Sequence, residues 1–342
     1  MLIQRKLNRL LLPVIVMLLA VGTARAEMID LVEIDNPDNA ADTRYATPGY
    51  GAVDYVYQIG KYEVTNAQWR EFLNAKAALG DSHGLYSERM DSTYGGIARA
   101  GSGTVEDPWV YYAKGNDSNW DNRPVNYVSF WDAARFCNWL HNGRGDGDTE
   151  SGAYINIGDQ DTFARQPDAQ WWIPSQDEWY KAAYHKNNGA TGNYWDYPTG
   201  ANAVPSNKLL ASDPGNNANF YDYGDTIGSP YYVTEVGAFK NSASPYGTFD
   251  QGGNVWEWNE TAAKASDDPD DVLSLRTLRG GGSYNYTSGN MRASASTADD
   301  PTIESRGAGF RVASVAVIPE PGAISLLLGG AVVGLIGWRR RT

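Results

Sequence analysis

Gly252-Gly253-Asn254-Val255-Trp256-Glu257-Trp258 is the stretch on which the fold turns. Its two tryptophans are core material, and its asparagine and glutamate either satisfy loop backbone groups or hold a ligand. The composition around it agrees with an aromatic, loop-rich domain: 12 Trp, 22 Tyr and 37 Gly in 342 residues, with only 20% charged side chains. That balance describes an α+β fold with little regular secondary structure rather than a helical bundle.

Outward from this stretch, other short blocks punctuate the chain. Upstream lie Ile59-Gly60-Lys61-Tyr62-Glu63-Val64-Thr65-Asn66-Ala67-Gln68-Trp69, Arg123-Pro124-Val125-Asn126-Tyr127-Val128-Ser129-Phe130 and Trp172-Ile173-Pro174-Ser175-Gln176-Asp177-Glu178-Trp179. Downstream lie Leu278-Arg279-Gly280-Gly281-Gly282-Ser283-Tyr284 and Gly309-Phe310-Arg311-Val312. Capping residues place helices over Thr65 to Asn74 and Ser129 to His141, and Ser175-Gln176-Asp177-Glu178 reads as a capping box opening a third. Short strands are expected at Tyr55 to Ile59 and Phe310 to Ser314. The Gly-, Ser- and Asp-rich segment 80–122 reads as an insertion loop.

Taken in order, these blocks resemble the sulfatase-modifying-factor family, the domain of the formylglycine-generating enzyme, over residues 55–314, with 27–54 as an N-terminal lead-in. The resemblance implies a compact α+β fold related to C-type lectins, with bound calcium. It assigns one calcium ion to the Asp250 side chain, the Gly253 and Val255 carbonyls and Glu257, hard oxygen donors of the kind that ion takes. A second site would use the Asn219 side chain and the Phe220 carbonyl, with Asp225 completing it.

Catalysis is where the chain departs from the family. The enzyme uses two cysteines of its own to bind copper and activate oxygen; the first aligns with Tyr286 and the second falls near Thr287 to Met291. Cu(I) needs soft thiolate or thioether ligands, and Met291 alone does not supply them. A second branch of the family oxidises with nonheme iron held by histidines. Here His83, His141 and His185 stand far apart in sequence: His83 reads as a loop residue, the other two as helix-end residues where a cation suits the dipole. Neither copper nor iron is therefore expected. The single cysteine, Cys137, excludes an intrachain disulfide and reads as a buried structural thiol. The chain contains no Gly-x-Ser-x-Gly, phosphate loop or zinc signature.

Tyrosines and tryptophans in Asn-, Asp- and Gly-rich loops suit stacking on sugars or packing on a protein partner. Tyr284, Tyr286, Asn285 and Arg279 are the expected lining of a ligand groove, because the resemblance places the family's active-site groove there.

Both ends read as topogenic. Arg5, Lys6 and Arg9 precede the apolar run Leu10 to Val21 and the site Ala24-Arg25-Ala26, which is a signal peptide over residues 1–26. In the tail, 315–342, Pro319-Glu320-Pro321 breaks the chain before an apolar membrane helix at 323–338, and Arg339-Arg340-Arg341 close it. This tail resembles the PEP-CTERM sorting signal, which implies export, a C-terminal membrane anchor, processing by an exosortase-type enzyme and a final place at the cell surface or outside it. Lys and Arg number 28 against 41 Asp and Glu, a net charge of −13, and several of the cations belong to the two ends. So acidic a chain repels nucleic acid. The expectation is a noncatalytic binding module in the extracellular matrix, with a glycan or an extracellular protein as ligand. The competing expectation is a metal-dependent oxidoreductase of the same family that uses ligands other than cysteine.

Overall fold

The structure, a computed structural model, describes residues 29–264, 274–284 and 286–316. The expected signal peptide, the expected sorting signal from Pro319 to Arg341 and Asn285 lie outside them. Among the described residues no helix is long and apolar enough to cross a membrane.

Three helices form where a Ser or Thr can cap them. In α1 (Asn66–Lys76), α2 (Phe130–His141) and α3 (Gln176–Tyr184), the cap hydroxyl of Thr65, Ser129 or Ser175 accepts the backbone N–H three residues on, and the side chain of Gln68, Asp132 or Glu178 reaches back to the cap N–H. Each reciprocal pair satisfies two otherwise orphaned donors and fixes where its helix starts.

The strands are short. They run β1 (Leu31–Ile34), β2 (Tyr57–Gly60), β3 (Ile97–Ala100), β4 (Val110–Ala113), β5 (Tyr154–Ile155), β6 (Ala164–Arg165), β7 (Trp171–Trp172), β8 (Trp256–Lys264), β9 (Ser274–Arg279), β10 (Thr297–Asp299), β11 (Ala308–Gly309) and β12 (Ala313–Val315). One four-stranded sheet has the order β1-β2-β12-β7 and another the order β10-β9-β8-β11, with β3-β4 and β5-β6 as separate hairpins. Sequence-distant segments thus meet: β12 closes the chain onto β2 with Ala313 opposite Ile59, and β11 runs parallel to β8 with Gly309 opposite Glu257.

Between the helices and sheets lies an aromatic core. The Phe136 ring of α2 stacks on Trp69 of α1 at 5.5 Å and meets Phe72 and Phe310 edge-on at 5.4 and 5.5 Å. Rings in such offset and edge-on arrangements fill the space that longer strands would otherwise occupy.

Three expectations change. The lead-in is part of the packed domain: β1 pairs with β2, and the backbone around Gly51 and Val53 is bound by Asp177 and Asn39. Segment 80–122 is no plain loop, since it forms the β3-β4 hairpin and buries Leu85, Tyr86, Met90, Ile97, Tyr111 and Trp120. Its Gly and Ser content reads as loop, while its apolar residues, spread thinly, supply an anchor only the tertiary contacts reveal. The strand expected over Phe310 to Ser314 is also shorter: only Ala313 and Ser314 of that stretch lie in a strand, β12.

Candidate functional site

Two features of this fold carry the chemistry: a buried charge cluster behind β8 and a groove on the β10-β9-β8-β11 sheet. The cluster centres on Glu257, fixed by strand pairing to Arg279 on one side and Gly309 on the other. Its carboxylate accepts Arg311 Nε at 2.6 Å and Arg311 Nη2 at 2.7 Å, and the Trp179 indole N–H at 2.7 Å. Both members of the ion pair are fully buried. Arg311 also donates to the carbonyls of Gly60 and Phe249, so one guanidinium ties β2, the segment before Gly252 and β8 together.

The charge around Arg311 does not balance. Glu63, only 2% exposed, has neither carboxylate oxygen hydrogen-bonded. Burial, with the charges of Asp250 and Glu257 added, pushes its carboxyl well above the ordinary range. Asp250 accepts the Gly237 N–H at 2.5 Å, and burial still lifts its pKa to about 6. Burial works against the Arg311 charge, and Glu257 outweighs it, holding the guanidinium firmly protonated. Three carboxylates thus face one guanidinium in a low-dielectric setting that favours either protons or a further cation.

The expected calcium ligands take distinct places. Asp250 and Glu257 belong to this cluster, joined by the loop that carries Gly253 and Val255. Gly253 has φ +95°, and a Cβ there would lie 2.3 Å from the Asn219 carbonyl oxygen, so the two expected sites touch through the backbone. Asn219 is buried with its Oδ1 unpartnered, while its Nδ2 donates to the Tyr232 carbonyl and to Asn254 Oδ1. The Phe220 carbonyl already accepts Asn207 Nδ2 at 3.2 Å and the Thr226 hydroxyl at 3.3 Å, and Asp225 is exposed. Among the described residues no group of three or more His, Cys, Asp or Glu side chains is arranged to hold a metal ion. Any ion here therefore depends on the backbone carbonyls as much as on the side chains.

The groove is a cavity of about 330 Å³ lined by Trp256 and Trp258 of β8, Leu278 of β9, Thr297 and Asp299 of β10, and Tyr286. Tyr286 stands edge-on to Trp256, ring centroids 5.6 Å apart. The ring needs two bare backbones: a Cβ on Gly282 would sit 3.2 Å from it and one on Gly307 3.4 Å. Beside the groove, Tyr284 packs against Tyr94 at 5.2 Å and Tyr232 at 6.2 Å, with the Arg306 guanidinium 3.6 Å from the Tyr284 ring centroid. Of the expected groove residues, Tyr284 and Tyr286 are half-buried here and Asn285 is outside the described residues. Arg279 is corrected: it is fully buried, donates to the Ala293 and Ala295 carbonyls and lies over Tyr50 and Tyr180, serving the packing of β9 rather than a ligand.

The histidines remain apart. His83 lies 3.6 Å from Glu150, His141 accepts the Gln170 N–H, and His185 caps α3 with its ring between the Tyr246 hydroxyl and the Thr191 carbonyl. Burial lowers the His185 pKa, so the helix-end cation expected there is replaced by a neutral ring. Cys137 is fully buried in α2, and burial pushes its thiol well above the ordinary range. Glu63, Arg311, Arg306, Tyr94 and Tyr232 carry roles that sequence reasoning did not assign. Glu63 and Arg311 stand inside the quoted blocks, which was their one signal.

Helices on capping boxes, two small sheets and an aromatic core define an α+β protein of the sulfatase-modifying type. The chain belongs to that family: residues 38–316 match the sulfatase-modifying factor enzyme 1-like domain, FGE-sulfatase. Solved structures similar to it include CarF, at 17% identity and a TM-score of 0.48 over 85% of this chain and 99% of that one. Treponema denticola variable protein 1 gives 19% and 0.47 over 83% and 94%. PvdO from Pseudomonas aeruginosa gives 18% and 0.44 over 84% and 92%. No curated protein sequence matches the chain.

Proposed function

We propose that this protein is a noncatalytic binding module of the sulfatase-modifying-factor family, whose ligand lies in the cavity beside Tyr286. The observation that carries the reading is the identity and packing of that residue. Where the family resemblance puts the first catalytic thiol, this chain has a phenol wedged between Gly282, Gly307 and Trp256. Its single cysteine is sealed inside α2. A phenol and an indole beside Asn290, Ser296 and Thr297 form a surface for a flat ligand with hydroxyl groups, such as a glycan or a protein loop.

Calcium is the proposed resident ion. The donor set fits it: Asp250 and Glu257 supply carboxylate oxygens, Gly253 and Val255 supply carbonyls, and the surplus negative charge around Glu63 favours a divalent cation. Asn219, with its buried unpartnered Oδ1, would serve the second site. When bound, the ion would neutralise the cluster and stiffen the loop between Asp250 and Glu257. The signal peptide and the Pro-Glu-Pro tail support export, anchoring through residues 323–338, release by an exosortase-type enzyme, and action at the cell surface or in the matrix.

The test joins elemental analysis of the exported, purified protein to a glycan and matrix-protein binding screen, with Tyr286→Ala as control. Calcium at about one or two ions per chain, with ligand capture that Tyr286→Ala abolishes, is the expected result. Stoichiometric iron or copper together with oxygen consumption on a thiol substrate would overturn the reading in favour of an oxidoreductase.

A further inference from the structure

Resting on the binding reading, we propose that the groove selects an acidic saccharide: a sugar ring lies against Tyr286 and a uronate-type carboxylate is held by Arg306. In this acidic chain, arginines such as Arg44, Arg70, Arg135 and Arg311 pair with carboxylates. Arg306 does not. Its guanidinium lies 3.6 Å from the Tyr284 ring centroid and 4.9 Å from that of Tyr94, and among the described residues its side chain makes neither hydrogen bond nor ion pair. Lying over two phenol rings and exposed, it keeps its N–H donors for an outside acceptor, and a carboxylate matches their planar fork.

The receptor is held in place before any ligand arrives. Tyr94, Tyr232 and Tyr284 come from three loops far apart in sequence, and Tyr94 and Tyr232 pack at 5.0 Å. Asn126 Nδ2 donates to the Tyr94 carbonyl at 2.8 Å and to the Arg306 carbonyl at 2.9 Å, tying platform and cation to one buried side chain. Arg306 stands between Ser305 and Gly307, both of which line the Tyr286 cavity. The backbone that carries the cation thus borders the ring-binding space.

Charge decides the ligand class. Inside the cavity the lining carboxylate is Asp299, which accepts the Asp300 N–H and keeps oxygen lone pairs for sugar hydroxyls. An anion is repelled there and attracted at Arg306, so a ligand with hydroxyls at one position and a carboxylate at another is read in a single orientation. Asn290, Ser296, Thr297 and Ser305 add hydroxyl-matching groups. A simple acidic peptide would use Arg306 but leave that hydroxyl-binding lining unmatched.

Isothermal titration calorimetry of the full chain, with a glucuronate-containing tetrasaccharide and its carboxyl-reduced counterpart, tests the proposal. The acidic form is expected to bind about tenfold or more tightly, the effect of one charge-assisted contact. Arg306→Gln should remove that preference while leaving the affinity for the reduced sugar unchanged, and Tyr286→Ala should weaken both, with thermal melts confirming that each variant folds. Equal affinity for the two saccharides would overturn the acidic assignment and leave the binding reading standing. Binding of neither saccharide, or an Arg306-dependent preference for a glutamate-rich peptide over both, would overturn the saccharide assignment itself. Failure of the binding reading is separately visible as metal-dependent oxygen consumption.

Discussion

Replacing Glu257 by glutamine removes one charge and almost no volume, which makes it a clean perturbation of the buried cluster. Arg311 would keep its carbonyl partners at Gly60 and Phe249 and lose the two charge-assisted bonds of 2.6 and 2.7 Å. Breaking one side of a buried ion pair costs about 3–5 kcal/mol. An amide oxygen in the Oε2 place can still accept both the Trp179 N–H and Arg311 Nε, but the amide NH2 then faces Arg311 Nη2, donor against donor. Against this, Asp250 still supplies negative charge to Arg311, which places the expected loss at the lower end, about 3 kcal/mol. For a domain of this size that corresponds to a fall in Tm of about 6–9 °C. Urea titration followed by tryptophan fluorescence in chelator would measure it, alongside Arg311→Met and the double variant. The double variant should recover part of the loss, because it buries neither charge alone. Glu63→Gln should move stability the other way or leave it unchanged, since it deletes a carboxylate with no hydrogen-bond partner. Glu257→Gln unfolding within about 0.5 kcal/mol of the parent, a difference ordinary for a surface site, would refute the claim that this pair holds β8 against β2.

Further predictions concern protons and backbone. The Asp250 carboxyl titrates at about 6 in the fold against an ordinary 3.8, so the folded state holds its proton longer than the unfolded chain. Its contribution is fully present below pH 3.8 and is lost as pH rises through 6, a decline of about 3 kcal/mol that Asp250→Asn should flatten when urea midpoints are compared across that range in chelator. Parallel profiles for parent and variant would contradict the assignment. Gly253→Ala, with its Cβ placed 2.3 Å from the Asn219 carbonyl oxygen at φ +95°, should cost about 3 kcal/mol in the same urea titration. A loss below about 1 kcal/mol, the ordinary Gly-to-Ala scale, would show that the two segments can separate there at little cost.

Much of the fold is legible in the chain because its signals are local. Thr65, Ser129 and Ser175 start helices through hydrogen bonds that close within three residues, so residue type and spacing reveal them before any tertiary contact forms. The Gly-Asn-Val-Trp-Glu-Trp stretch and its companion blocks bring the family into view for the same reason. Segment 80–122 reads as loop because its few anchoring apolar residues are set among Gly and Ser at no regular period, leaving burial to be decided by what packs against it.

The charges and the groove belong to the tertiary structure. Glu257 and Arg311 are 54 residues apart, and only the parallel pairing of β8 with β11 brings them within reach. Glu63 stands in a block visible from the start, yet its uncompensated charge follows from what surrounds it. Arg279 and Arg306 look alike as letters: one is drawn into the core by neighbouring carbonyls, and the other is left open on a platform of three tyrosines. Local sequence sets where elements begin, since those bonds are short-range. A side chain's partner, and hence its charge state and its availability to a ligand, is set by long-range packing that no short window of sequence contains.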